Sequence, residues 1–277
     1  MTRVLLPATL PELWEALAAC PEAPLLAGGT DLLVRLRARR QRPEALVGLE
    51  RLAELRTIRR QGRGLRIGAL ATHAMIARHP LVLRHAPVLA RAVSEVGGPA
   101  IRNMGTLGGN LCTASPAGDS LPALAVLEAR VELLSAGGTR LLPLSEFLLG
   151  PGRAALAPGE IVGAVRVPLS ADFQVQHFEK AGRRAALAIA VVSLAVLARL
   201  EKGMVAEARL AVGSAAPTVL RCPEAEEFLR GRRLTLSALE RAARAVRAAV
   251  RPIDDARASA GYRRQVAGNL LLRLADL

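Results

Sequence analysis

Residues 101–120 combine glycine with short polar side chains and lack the bulky apolar residues that would fix them in a core. Four glycines stand at positions 105, 108, 109 and 118, and the polar residues are Asn103, Thr106, Asn110, Thr113, Ser115 and Asp119. Glycine lets a ligand approach the main chain, and a run of exposed N–H groups forms a concavity that binds anions. The stretch predicts a phosphate-binding loop, and composition leaves a plain glycine-rich connection equally open.

A second candidate anion site lies at Gly28-Gly29-Thr30-Asp31, between an apolar run at 24–27 and a helical pattern at 32–40. A turn from a strand into a helix N-terminus favours anions, because N–H groups are free there and the helix dipole is positive. Neither the G-x-G-x-x-G fingerprint nor the G-x-x-x-x-G-K-[ST] loop occurs at this turn. If a nucleotide binds here, the domain is not of the Rossmann type.

The elements around these turns predict an α+β protein of three parts. Strands at 3–6, 24–27 and 45–49 alternate with helices at 11–19 and 32–40, which indicates an α/β unit. Helical segments follow from 73 to 96, and a helix at 121–129 has Asp119 or Ser120 as its predicted cap. The later elements are a hairpin at 130–135 and 139–142, a short helix at 144–148, strands at 160–167 and 205–212, an apolar run at 185–200, and helices at 222–230, 235–250 and 262–274. We predict domains at 1–53, 54–171 and 172–277.

Composition bounds the class of protein. The chain has 277 residues, of which 51% are hydrophobic but only six are aromatic, so the core must be aliphatic. Its formal charge of +14 comes almost entirely from arginine. Nucleic-acid binding is the less favoured interpretation of that charge, because few aromatic residues are available to stack on bases and no DNA- or RNA-binding motif occurs. A solvated arginine-rich surface is the favoured one.

The cysteines and histidines predict neither a disulfide framework nor a metal site. Cys20, Cys112 and Cys222 are odd in number and far apart, which is typical of a reducing compartment. His73, His79 and His85 recur every six residues, a period that does not place them on one helix face, so we expect surface or capping histidines. No signal peptide and no apolar stretch of about 18 residues is present, so a cytoplasmic protein without a membrane span is predicted.

Five separated segments form one specific pattern: residues 27–33, Thr72-His73, residues 101–110 with their RN-x-GT-x-GGN core, residues 114–119, and residues 252–264. Together they resemble the FAD-binding medium subunit of the molybdenum hydroxylases. That family includes carbon monoxide dehydrogenase, xanthine dehydrogenase and 4-hydroxybenzoyl-CoA reductase. The resemblance covers nearly the whole chain. It implies a p-cresol-methylhydroxylase-type FAD-binding domain of two α+β subdomains, followed by a C-terminal domain of an antiparallel sheet and helices.

The resemblance also implies roles for individual residues. Main-chain N–H groups of both glycine segments would wrap the FAD diphosphate, and the Asp119 carboxylate would lie beside the isoalloxazine, whose N3–H is a donor. Ile161 or Val162 would make an apolar main-chain contact. Lys180 would be a basic residue near the flavin, with a surface lysine as an equal alternative. The predicted cofactor-binding residues are Ala27, Gly28, Gly29, Thr30, Asp31, Leu32, Thr106, Gly108, Gly109, Asn110, Thr113, Asp119, Ile161, Val162 and Lys180; no catalytic residue and no metal ligand is predicted.

The same resemblance implies partners. FAD would bind non-covalently, receive electrons from iron–sulfur clusters on a small subunit and pass them to an acceptor. A large subunit would carry the molybdenum cofactor, and the three chains would form a heterotrimer able to dimerise. This chain lacks the cysteine-bearing insertion that the reductase branch uses for an additional cluster. It also lacks an aromatic residue near Val96 or Gly97, which leaves NAD open as the acceptor. The alternative is a non-redox nucleotide- or anion-binding module that has kept the fold but lost the flavin.

Overall fold

In a computed structural model, which describes residues 2–169 and 172–276, the chain folds into small β-sheets covered by helices. The first sheet is parallel, in the order β1-β3-β2, as the alternating pattern predicts. Its strands and the two helices that connect them are β1 (Arg3–Leu5), α1 (Leu10–Ala19), β2 (Leu25–Leu26), α2 (Leu32–Ala38) and β3 (Ala45–Gly48). The turn between β2 and α2 is the Gly28–Asp31 segment, and a single 3-10 turn at Ala53–Arg56 leads out of the sheet.

The second sheet is antiparallel and has the order β4-β5-β10-β6-β7. Its strands, with a separate pair formed by β8 and β9, are β4 (Ile58–Gln61), β5 (Gly64–Gly68), β6 (Arg130–Ser135), β7 (Gly138–Pro143), β8 (Leu148–Gly150), β9 (Arg153–Ala154) and β10 (Ile161–Pro168). The helices of this region are α3 (His73–Arg78), α4 (Pro80–His85), α5 (Pro87–Ser94), α6 (Pro99–Met104), α7 (Leu107–Thr113), α8 (Ser120–Val126) and α9 (Leu144–Phe147).

The third sheet is an antiparallel meander, as predicted. It consists of β11 (Val175–Gly182), β12 (Ala190–Glu201), β13 (Met204–Gly213) and β14 (Leu220–Arg221), and it is followed by α10 (Pro223–Leu229), α11 (Leu236–Ala249), α12 (Ala260–Leu272) and a 3-10 turn at Arg273–Asp276. The apolar run that starts at 185 becomes β12. Residues 190–198 of that strand are buried without alternation, because α8 packs on one face of the sheet and α12 on the other. One core therefore joins the second and third sheets, with Phe178 and Leu197 packed in the same cluster as Leu124.

The largest departure from the predicted elements is within residues 101–120, which contain α7 and the end of α6 instead of an open loop. Pro99 occupies the first turn of α6, and the Thr106 hydroxyl caps α7 by accepting from the Gly109 N–H at 3.1 Å. A residue that can cap a helix thus outweighs the low helix propensity of the glycines beside it. Asp119 occupies the N-cap position of α8 but makes no capping hydrogen bond, so its predicted capping role is wrong.

One of these histidines has an expected role, and another does not. His79 caps α4, since its Nδ1 accepts from the Leu81 N–H at 3.3 Å. His73 is buried, against the expectation of a surface or capping position. No group of three or more potential metal ligands occurs within residues 2–169 and 172–276. In the same ranges, none of the helices has the length and apolarity to cross a bilayer. The three-domain division stays a prediction, and its boundary at residue 171 falls outside the described residues.

Candidate functional site

A cavity of about 380 Å³ lies between the β2–α2 turn and helix α7. The fold thus brings together the two glycine segments that the sequence places far apart. Of the predicted site residues, this cavity is lined by Ala27, Gly28, Gly29, Thr30, Asp31, Leu32, Thr106, Gly109, Asn110 and Thr113.

The backbone amides of the first segment are free. Within the described residues, none of the five consecutive N–H groups from Gly28 to Leu32 donates a hydrogen bond; the next one, Leu33 N–H, donates to Gly29 O at 3.1 Å. Gly29 has a φ of +71°, a left-handed conformation that glycine adopts without strain and that turns the chain into α2. Unpaired backbone donors on a cavity wall form an anion site.

The amides of the second segment are already bonded. Leu107 N–H donates to Ala71 O at 3.0 Å and Gly108 N–H to Ala69 O at 2.9 Å. Gly109 N–H donates to the Thr106 hydroxyl at 3.1 Å, and Asn110 N–H donates to Thr106 O at 3.0 Å. These bonds anchor the start of α7 to the segment after β5. A Cβ on Gly108 would lie 2.7 Å from the Cβ of Ala69, so that glycine permits close packing, whereas one on Gly109 would meet only the Thr106 Oγ1, at 2.9 Å.

The two segments touch closely. A Cβ on Gly28 would lie 1.8 Å from the Met104 carbonyl oxygen, so only glycine fits there. The Thr113 hydroxyl donates to the Asp31 carboxylate at 3.1 Å, and Arg35 forms an ion pair with the same oxygen at 2.9 Å. One steric contact and one polar cluster therefore hold the two segments together.

A second cavity, of about 520 Å³, adjoins the first and shares Val96 and Asn110 with it. Asp119 lies on its wall. Much of the remaining wall comes from the C-terminal part of the chain, at residues 187–190, 214–217 and 251–257. Arg263 ties these segments together: it is buried and donates to Val191 O and Ser214 O at 2.9 Å and to Asp255 at 2.6 Å. The 252–264 segment thus helps to close this cavity.

Asp119 is the one acidic group on these walls that carries a buried free oxygen. Its Oδ2 accepts from Lys180 Nζ at 2.8 Å, while its Oδ1 is buried and has no hydrogen-bond partner in the described structure. Burial raises the pKa of this carboxyl to about 6, the Lys180 ammonium opposes the rise, and Glu95 adds to it. At neutral pH the carboxylate has one oxygen available for a donor on a ligand.

Two family models match most of this chain, and both of their descriptions refer to a flavin. Residues 1–170 match the family described as the FAD binding domain in molybdopterin dehydrogenase, and residues 176–276 match the CO dehydrogenase flavoprotein C-terminal domain. The chain belongs to this family of FAD-binding subunits. It is therefore an oxidoreductase subunit of the molybdenum hydroxylase type.

Relatives of this FAD-binding subunit match over most of their length. The xanthine dehydrogenase FAD-binding subunit of Escherichia coli O157:H7 is 38% identical over 259 residues, which cover 92% of this chain and 88% of the relative. The carbon monoxide dehydrogenase medium chain of Hydrogenophaga pseudoflava is 34% identical over 253 residues, covering 91% and 88%. The solved carbon monoxide dehydrogenase from Hydrogenophaga pseudoflava, in a form that lacks the Mo-pyranopterin moiety, superposes with a TM-score of 0.92 at 33% identity over 98% of this chain and 95% of that one. The predicted fold is confirmed.

The residues of this subunit fit FAD. Five free amides of the first segment match an anionic diphosphate, and the free Asp119 Oδ1 matches the N3–H donor of a flavin ring. The two adjoining cavities provide room for both ends of a dinucleotide.

Four of the predicted site residues lie behind these walls or away from them. Gly108 packs on Ala69, as described above, and Ile161 and Val162 are buried in β10 opposite Leu134 and Leu133, so none of the three lines either cavity. Lys180 lies behind Asp119, with its ammonium bonded to protein acceptors. Cofactor contacts of these four residues, like those of the residues that line the cavities, stay predictions.

His73 is a cavity residue that the sequence interpretation missed. It lines the first cavity with its Nδ1 buried and unpartnered. Burial, and then the nearby Arg102 charge, lower the pKa of this histidine to about 4, so the ring is neutral at pH 7. The regular spacing to His79 and His85 drew attention away from it; the signal that singles it out is its place next to Thr72 in one of the segments that carry the resemblance.

Proposed function

We propose that this chain holds FAD in the two adjoining cavities and passes electrons from iron–sulfur clusters of a partner chain to an acceptor. The observation that carries the proposal is the pairing of five free amides at one end of the site with a free carboxylate oxygen at the other. A ligand that fits both ends must carry an anion and a hydrogen-bond donor separated by the length of two cavities. A flavin dinucleotide meets this requirement, and free phosphate does not.

Each residue has a proposed task. The amides of Gly28–Leu32 bind the diphosphate, Gly109 leaves room beside it, and Asp119 accepts a hydrogen bond from the flavin ring. When bound, FAD supplies reversible electron transfer, and the chain binds it, orients it and tunes it. The apolar walls of the second cavity, at Leu187, Ile189 and Pro217, exclude water from the ring.

We further propose that the clusters and the molybdenum cofactor lie on other subunits, in a cytoplasmic heterotrimer that can dimerise. The names of the relatives, an "FAD-binding subunit" and a "medium chain", support a complex of several chains. The three cysteines of this chain lie far apart in sequence, and clusters need thiolates brought close together. Purification from the native host should recover molybdenum- and iron-containing partners; a pure chain that oxidises substrate unaided would contradict this.

Flavin reconstitution tests the binding proposal. The purified full chain is titrated with FAD and with FMN, and the bound flavin is then released by denaturation. We expect one FAD per chain, weaker binding of FMN because it lacks the second phosphate, and complete release of the flavin. Failure to bind any flavin would favour the alternative, a non-redox module that has lost it. Flavin that stays on the denatured chain would contradict non-covalent binding.

A further inference from the structure

Lys180 is an unusual choice of cation for this chain. Only two of its 38 basic residues are lysines. Lys202 is exposed in the turn between β12 and β13, whereas the side chain of Lys180 is 7% exposed on β11. A buried lysine in an arginine-dominated sequence indicates a position where a guanidinium does not serve.

The contacts of Lys180 explain the choice. Its ammonium donates to Glu95 O at the end of α5, to Asp119 Oδ2 at the start of α8, and to Ala188 O ahead of β12. An ammonium has three hydrogens that point in three directions, which matches three acceptors on three different segments. The planar fork of arginine presents its donors in one plane and cannot reproduce that arrangement.

We propose that Lys180 is the positioning residue of Asp119 in flavin binding: it keeps the carboxyl ionised and holds Oδ2, so that Oδ1 stays available to the ligand. The proposal rests on the FAD site proposed above. Lys180 itself has no ammonium hydrogen left for a ligand, so it acts through Asp119 and through the wall segments that it joins.

Among the charged groups around Asp119, Lys180 is the one placed to keep its carboxyl ionised. Glu95, next to it on the α5 side, disfavours the ionised form and is paired with Arg91 at 3.6 Å. Across the cavity, Asp255 is paired with Arg257 and Arg263, and Arg251 donates to the carbonyls at the end of α11. Lys180 is the cation in direct contact with Asp119.

The consequence is a shift in pH dependence. A protonated Asp119 loses acceptor capacity, so FAD affinity should fall as pH drops through the carboxyl pKa, near 6. Because an adjacent cation lowers a carboxyl pKa by about 1–3 units, loss of Lys180 should move the inflection upward by at least about one unit. A purely structural lysine would instead weaken binding equally at every pH.

The test measures FAD affinity of the full chain by flavin fluorescence, from about pH 5 to about pH 9. Wild type is compared with Lys180→Met, Lys180→Gln, Asp119→Asn and the matched control Lys202→Met. We expect a higher inflection in both Lys180 variants, no inflection in Asp119→Asn, and an unchanged curve in Lys202→Met. At pH 7 the Lys180 variants should bind about twofold more weakly if the inflection moves by one unit and about tenfold more weakly if it moves by two, and affinity should recover in alkali.

Either of two results would overturn the proposal. One is an unshifted inflection in the Lys180 variants; the other is a wild-type curve that has no inflection, or whose inflection persists in Asp119→Asn. Lys180→Gln can still donate to two carbonyls, so it keeps the comparison open if Lys180→Met does not fold. The wild-type and Asp119→Asn curves can refute the proposal without either variant. Absence of FAD binding in wild type would refute the proposed function itself, a result distinct from bound FAD with an unshifted curve.

Discussion

The two glycine-rich segments face each other across one cavity, but their backbone amides do different things. The amides of Gly28–Leu32 are free, whereas those of residues 107–110 are bonded to Ala69, Ala71 and Thr106. In the function proposed above, the first segment would supply donors to the ligand, and the second would supply a rigid, close-fitting wall. Glycine serves both purposes, since it permits unusual turns and close approach alike.

The strongest test of this comparison is the contact between the segments. Gly28→Ala would place a methyl group 1.8 Å from the Met104 carbonyl oxygen. Backbone on both sides must move, so we expect a loss of about 4 kcal/mol in the free energy of unfolding, together with loss of FAD binding. Urea denaturation measures the first effect. The control Gly137→Ala, whose nearest neighbour is Ser135 Oγ at 3.7 Å, should change stability by less than about 0.5 kcal/mol. Equal stability of both variants would show that the segments are not locked together.

The second test uses His73, whose backbone N–H donates to Gly105 O where the segments meet. Its pKa is lowered from 6.5 to about 4 by burial. On acidification the unfolded chain gains a proton near pH 6.5, while the folded chain gains it only near 4, so wild type loses stability over that window. Relative to His73→Gln, the loss should reach about 3 kcal/mol between about pH 7 and about pH 4.

Asp119 acts in the opposite direction, because its raised pKa makes acid favour the folded form below about 6. Both proteins share that contribution, so it cancels in the difference between wild type and His73→Gln. Unfolding measured by denaturant at several pH values gives the difference directly. Parallel curves would show that His73 is not held neutral in the folded chain.

The third test asks whether Gly109 lies beside the bound ligand or only connects two elements. Gly109→Val adds a side chain on the cavity side, where only the Thr106 hydroxyl is near. We expect FAD to bind about 10- to 100-fold more weakly, a cost of about 1.4–2.8 kcal/mol, with the fold retained. Gly261→Val in α12, which has open space around it, is the control and should bind FAD normally. Full FAD binding by Gly109→Val would mean that the second segment only connects two elements.

The smallest effect should come from the α7 cap. Thr106→Ala removes the hydroxyl that accepts from Gly109 N–H. The expected cost is about 1 kcal/mol in stability, which Thr106→Ser should restore. FAD affinity should fall less than in Gly109→Val, because the proposed donors to the diphosphate belong to the other segment. A larger loss of affinity in Thr106→Ala would reverse the roles assigned to the two segments.

The sequence predicted where both glycine segments lie and most of the elements around them, because capping residues, turns and apolar periods are local signals. It did not distinguish the two segments. The acceptors that occupy the second set of amides, at Ala69 and Ala71, come from another part of the chain. Whether an amide is free is a tertiary property, and both segments look alike in composition.

The second cavity was predictable only in part. Asp119 stands out as an acid beside glycine, but its partner Lys180 and the walls at 187–190, 214–217 and 251–257 are distant in sequence. Arg263 shows the same limit. Its guanidinium looks like one more surface charge in an arginine-rich chain, yet it is buried and bonds two separate backbone segments.

The wall at residues 251–257 also sets the order of events during synthesis. The first glycine segment leaves the ribosome early, but the wall of the second cavity is complete only after those late residues have emerged. At about 5–20 residues per second, the interval is on the order of ten seconds or more. If FAD binds as proposed, its loading therefore follows translation, and we expect a nascent chain to be colourless until its C-terminal helices have packed.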